Sequence, residues 1–257
     1  MTAIGNDIQR ANVWKRFSAY LFDFIILGMV AVGFAFLLSS ALGYDAHVAE
    51  RERLREEFET RYGVDFDIAQ EEYDALTDEE RSAYQTAYEA FVTDPTVNAK
   101  DVQIINLTLI ITVFGILAAF LIFEFLIPLK QGHGQTLGKK IFGVAVMRVD
   151  GVRMSVFQLF VRSILGKYTV ETMIPILLVL MFLVGAMPLA CVCGICLIFL
   201  LQVCFLLTSY EHTLIHDKIA GTVAVDMASQ LIFDTEEELL AYEKKRHAEA
   251  AARAEYR

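Results

Sequence analysis

The sequence predicts an all-α integral membrane protein with four transmembrane helices, a small cytoplasmic loop of β-hairpin and amphipathic helix, and an extracytoplasmic helical insert. Three observations carry this expectation. Hydrophobic residues make up 56% of the 257, and mean hydropathy is +0.46, more than one soluble core absorbs. The apolar residues are bunched into 17–42, 102–129 and 169–208, each longer than the ~18 residues that span hydrocarbon. Between these runs the charges sort by sign, as they do across a membrane.

The first run contains Asp23 and is too long for the apolar core of a secretory signal, so a retained span is expected rather than cleavage after Ser39-Ser40-Ala41. The third run is twice the length of one span. Gly185 and Pro188 near its middle predict a turn between helices at about 170–187 and 190–208, with a single tilted helix as the alternative. Organisation follows as N-terminus and first span 1–43, insert 44–101, second span 102–129, loop 130–168, paired spans 169–208 and tail 209–257. Cys191, Cys193, Cys196 and Cys204 fall in a predicted span and read as packing residues rather than a metal set.

Arg10, Lys15 and Arg16 precede the first span. The loop 130–168 carries Lys130, Lys139, Lys140, Arg148, Arg153, Arg162 and Lys167 against Asp150 alone. Both segments are expected in the cytoplasm, which places both termini there and the protein in the cytoplasmic (inner) membrane. The insert holds 17 acids against 6 Lys/Arg, accounting for the net charge of −10. That balance predicts an outside location and argues against a nucleic-acid partner.

Within the insert, Thr77 and Glu80 form a capping box. Tyr84, Tyr88 and Phe91 then recur at helical spacing until Asp94-Pro95 stops the helix, and a charged helix is expected around 50–62. It reads as a solvated cap that packs on itself or a partner, or as an acidic funnel for cations. In the inner loop, 141–148 alternates, Asp150-Gly151 makes a turn, and 152–156 is expected to pair back as a hairpin. Phe157, Phe160, Val161 and Ile164 predict a helix along the membrane surface, with Arg162 and Lys167 on its polar side. Asp234 or Thr235 with Glu238 predicts a capped C-terminal helix.

Three groups of residues stand apart: Arg16 to Asp23 (R-F-S-A-Y-L-F-D); Gly134-Gln135-Thr136-Leu137-Gly138-Lys139 with Gly143 and Asp150-Gly151; and His216-Asp217-Lys218-Ile219-Ala220-Gly221-Thr222. Together they resemble the RDD family of membrane proteins over 10–42 and 102–227. The resemblance matches the family's arginine and two aspartates to Arg16, Asp23 and Asp217. It implies transport, with cation/proton exchange suggested for some members. The acidic insert and the C-terminal helix depart from the family pattern.

Arg16 and Asp23 are two helical turns apart, about 10 Å along one face. A carboxylate within a span costs roughly 2.5–3.5 kcal/mol unless paired, so Asp23 and Glu124 ask for a reason. Each lies six or seven residues from a basic residue at its span's end, Arg16 and Lys130, and so at similar depth. The expectation is a small-cation and proton site at Asp23 and Glu124, which bind in turn, with Arg16 setting their pKa; a polar network that locks the helices is the equal alternative. Arg162, His216, Asp217, Gly134, Thr136, Gly138, Lys139 and Thr222 are expected to form a latch or gate on the cytoplasmic face. The run 132–140 fails the phosphate-loop pattern, with His133 and Lys140 where Gly and Ser/Thr are needed. His133 and His212 add imidazoles without metal spacing, and no nucleophile accompanies His216-Asp217. No cofactor, metal or enzymatic activity is therefore expected. Four helices are few for a pathway, which predicts a homo-oligomer or a membrane-protein partner. The rival function is a non-transporting assembly factor that docks another protein through the acidic insert.

Overall fold

The computed structural model describes residues 8–185, 187–208 and 213–255. Four of its helices are long and apolar enough to cross a membrane. They are α1 (Val13–Leu42), α5 (Pro95–Gln131), α7 (Val156–Leu183) and α8 (Pro188–Thr208). Their outward side chains include Phe24, Met29, Phe36, Leu197, Phe199 and Leu200, each more than half exposed. A helix with its backbone bonds closed internally can present such a surface to lipid. The 169–208 run breaks at Gly185 and Met187, both with positive φ, so α7 and α8 are separate helices.

The chain divides into two compact units, Val32–Ile116 and the remainder. In the first, Gly43 at φ 67° ends α1 and admits α2 (Tyr44–Tyr62), which Gly63 closes in the same left-handed conformation. After the short α3 (Gln70–Ala75), Thr77 caps α4 (Asp78–Thr93): its hydroxyl accepts from the Glu80 N–H while Glu80 reaches back to the Thr77 N–H. Phe58, Phe91 and Val97 form the core, with Phe66 stacked at 5.4 Å from Phe91. Asp94-Pro95 does end α4, but it also begins α5. The Asp94 carboxylate accepts from the Thr96 and Val97 N–H groups, and Pro95 occupies the first turn, where no donor is needed. The second span therefore starts in the polar insert, seven residues before its apolar run.

In the second unit, the turn after α5 leads into α6 (Leu137–Ile141), β1 (Val144–Arg148) and α7; α8 is followed by α9 (Ile215–Ala220), β2 (Thr222–Asp226) and α10 (Glu236–Glu255). The expected hairpin is corrected here. β1 pairs antiparallel with β2, Met147 opposite Val223, and only an isolated bridge joins Met147 to Arg153. The Asp150-Gly151 turn does form, with the Arg148 N–H donating to the Val152 carbonyl. Ser155 then ends the extended segment, because its hydroxyl and Gln158 form a reciprocal cap on α7. Thr222–Asp226 makes a better partner: alternate residues bury Ala145, Met147, Val223 and Val225 on one face, and Val144 and Ala224 with Ala11 on the other. The outer edge of β2 is covered by residues 9–11, through Asp226 N–H to the Gln9 carbonyl. That of β1 is covered by the His133 carbonyl, which accepts from Val146.

The expected surface helix at 157–168 is also corrected: it is the first half of α7, continuous with the third span. Its polar residues face protein rather than water. Arg162 and Ser163 are buried, and a thirteen-residue π-helical stretch, Val161–Met173, carries them. A second π stretch, Leu121–Leu126 in α5, contains Glu124. Such wide turns concentrate at functional sites. α10 starts as expected: the Thr235 hydroxyl accepts from Glu238 N–H, and Glu238 reaches the Asp234 N–H.

Candidate functional site

Asp23 is held by the turn that the glycine-rich motif builds. Thr136 caps α6, its hydroxyl donates to Asp23 Oδ2, and the Gly138 N–H donates to Asp23 Oδ1 at 2.7 Å. A side chain at position 138 would overlap the Ala19 carbonyl oxygen of α1, so glycine is what lets α6 approach. Gly134, at φ 59°, is similarly closed in by Met154 and Val146. Asp23 thus docks α6 against α1, and that docking positions Lys139.

Lys139 is nine-tenths buried. Its Nζ lies 3.9 Å from Glu124 Oε2, and neither atom has a hydrogen-bond partner among the described residues. The other oxygen, Glu124 Oε1, accepts from Lys167 Nζ at 2.6 Å. The backbone carbonyl of Glu124, in its π turn, accepts from the Ser163 hydroxyl at 2.6 Å. Edge-to-face pairs Phe120–Tyr168 and Phe125–Phe160 flank the two facing π segments. Burial first, then Lys167, push the Lys139 ammonium down to about 7, while Glu124 and Asp23 pull against that shift.

A second cluster lies on α7 and α9. Arg162 donates to Asp217 Oδ1 from Nε at 2.9 Å and from Nη2 at 2.8 Å, with both side chains buried. The Thr222 hydroxyl donates to the same oxygen at 3.1 Å. Burial raises the Asp217 carboxyl, but the Arg162 guanidinium, with Arg16 further off, outweighs it and holds the group well below the usual carboxylate range. Arg162 Nη2 also lies 3.2 Å from His216 Nε2; a guanidinium only donates, so Nε2 accepts and Nδ1–H faces Glu171 at 2.8 Å. Burial lowers the His216 pKa, which keeps the ring neutral near pH 7. Gly166 admits α9: a Cβ there would lie 2.6 Å from His216 Cβ.

The two clusters meet at one cavity of about 250 Å³, whose lining includes Arg16, Asp23, Lys139, Arg162, Lys167 and Asp217. Of the residues expected at the site or its latch, Arg16, Asp23, Lys139, Arg162, His216 and Asp217 line the cavity; Thr136 and Gly138 reach it through Asp23, Thr222 through Asp217 and Glu124 through the two lysines, whereas Gly134 packs apart against Met154 and Val146. Asp23 and Glu124 have different partners: Asp23 is bound by Thr136 and the Gly138 N–H, Glu124 by Lys167 with Lys139 at 3.9 Å. Lys167, Glu171 and Ser163 were not foreseen as site residues. Their signal was present: charged residues spaced four apart, Lys167 and Glu171, at the edge of an apolar run. His212 falls outside the described residues.

No curated protein and no solved structure matches the chain. The family model described as RDD family matches residues 10–221, a stretch that holds Arg16, Asp23, the glycine-rich turn and Asp217. The chain belongs to the RDD family.

Proposed function

We propose that the protein exchanges a small cation for a proton across the membrane, with Glu124 receiving the cation and Lys139 carrying the proton. The observation that supports this is a buried ion pair, Lys139 Nζ and Glu124 Oε2, neither atom of which has a hydrogen-bond partner among the described residues. A buried charge without hydrogen bonds is costly, so a structure that retains two invites a replacement. Counting the cavity lining with Glu124 and Glu171, which pair with its Lys167 and His216, four cations (Arg16, Lys139, Arg162, Lys167) and four carboxylates (Asp23, Glu124, Glu171, Asp217) cancel, with His216 neutral. When a cation settles on Glu124 Oε2, the Lys139 N–H bond breaks, the proton leaves, and the balance is kept. Asp23 holds α6 so that Lys139 stays within reach, while Arg162 and Asp217 close the α9 wall. The loop charges favour a cytoplasmic location for the β1–β2 end.

In proteoliposomes, adding Na⁺, K⁺ or Li⁺ to the wild type should drive proton movement read by a pH-sensitive dye. Glu124→Gln and Lys139→Met should lose it while still folding. Exchange should peak near pH 7 and fall on either side, because Lys139 must both take up and release its proton. Lys139→Arg, which stays charged, should not exchange at any pH. A folded wild type that moves no proton with any cation overturns the reading. The assembly-factor reading would then gain weight, supported by the insert's own aromatic core of Phe58, Phe66 and Phe91.

A further inference from the structure

Glu124 has two oxygens, and the fold treats them differently. Oε1 is bound by Lys167 at 2.6 Å, whereas Oε2, among the described residues, meets only the ammonium of Lys139 at 3.9 Å. The two lysines also differ in mounting. Lys139 sits on the five-residue α6, held to α1 through Asp23. Lys167 projects from a π turn inside a membrane-crossing helix. The Ser163 hydroxyl, one turn earlier, ties that helix to the Glu124 backbone.

We propose that Lys167 sets the valence of the exchanged ion: by holding Oε1 it leaves Glu124 with a single charge to offer, so that monovalent cations are taken and divalent ones rejected. The inference rests on the exchange reading above. A monovalent ion replaces the Lys139 ammonium charge for charge. A divalent ion would leave one positive charge uncompensated beside Lys167 and Arg162, at a buried carboxylate. Removing Lys167 frees Oε1, doubles the carboxylate oxygens available, and takes away one positive charge, so that the second charge of a divalent ion is balanced.

The test compares proton flux driven by Na⁺ with that driven by Ca²⁺ and Mg²⁺ in proteoliposomes of the wild type, Lys167→Gln and Lys167→Arg. The wild type should respond to Na⁺ alone. Lys167→Gln should raise the divalent-to-monovalent ratio by roughly tenfold or more, and Lys167→Arg, which keeps the charge, should leave the ratio as it was. Divalent-driven flux in the wild type, or an unchanged ratio in a folded Lys167→Gln, overturns the assignment while leaving exchange itself standing. Should Lys167→Gln not fold, the wild type decides: protons released per Na⁺ bound should be one, and divalent ions should neither bind nor compete, either departure sinking the assignment. Absence of any flux in the wild type instead removes the underlying exchange reading.

Discussion

Replacing Asp217 with asparagine is expected to destabilise the protein by about 3–5 kcal/mol, because it strands Arg162 as a buried charge without its counter-ion. Both N–H groups that Arg162 aims at Asp217 end on one carboxylate oxygen, and the two side chains are 2% and 1% exposed as residues. Asparagine preserves shape and one acceptor, so the loss measures charge rather than packing. Thermal unfolding in detergent should show the drop, and the Arg162→Met, Asp217→Asn pair should recover part of it, since the uncompensated charge is then gone. An Asp217→Asn protein as stable as the wild type would contradict the ion pair. The sign of the pH dependence follows. The folded-state pKa lies below the unfolded value of 3.8, so the contribution is present above 3.8 and is lost as pH falls through the folded value.

The second large effect concerns Gly166. A methyl group there would sit 2.6 Å and 2.8 Å from the Cβ and Cα of His216, and a backbone carbon cannot step aside without moving α9. Gly166→Ala should therefore cost about 1–3 kcal/mol by overpacking. It should also disturb the His216 contacts to Glu171, visible as a changed imidazole NMR signal. Gly28→Ala and Gly33→Ala make the control, since nothing lies within 4 Å of either position. In a helix interior those changes should be neutral or stabilising by up to about 1 kcal/mol. Equal behaviour of all three variants would remove the α9 packing account.

Much of this arrangement was legible before any coordinates, and for local reasons. Uncharged runs, the Thr77–Glu80 cap and the Gly185 break depend on neighbours a few residues away, so the sequence carries them directly. What failed depended on distant partners. The strand 144–148 found its mate at 222–226 rather than across the nearby turn, and Ser155, read as part of a strand, was the cap of the next helix. The polar side of 157–168 resembles a water-facing side in periodicity alone. Its direction is settled only by Asp217 and Glu124, which lie 55 and 43 residues from the side chains they pair with. Asp23 and Glu124 were singled out because acids in spans are costly, yet that cost is met by different means: hydrogen bonds from Thr136 and Gly138 for one, lysines for the other. Lys139, first grouped with the latch, faces Glu124 instead.

The most direct test is proton release on cation binding, measured in weakly buffered detergent solution near pH 6 (about one unit below the Lys139 value of about 7, so the ammonium still carries its proton before the cation binds). Adding Na⁺ or K⁺ to the wild type should release protons in step with the bound cation. The release should disappear in Lys139→Met, and both binding and release should disappear in Glu124→Gln. Cation binding without proton release, or release that survives the loss of Lys139, would contradict the exchange of an ammonium for a cation at Glu124.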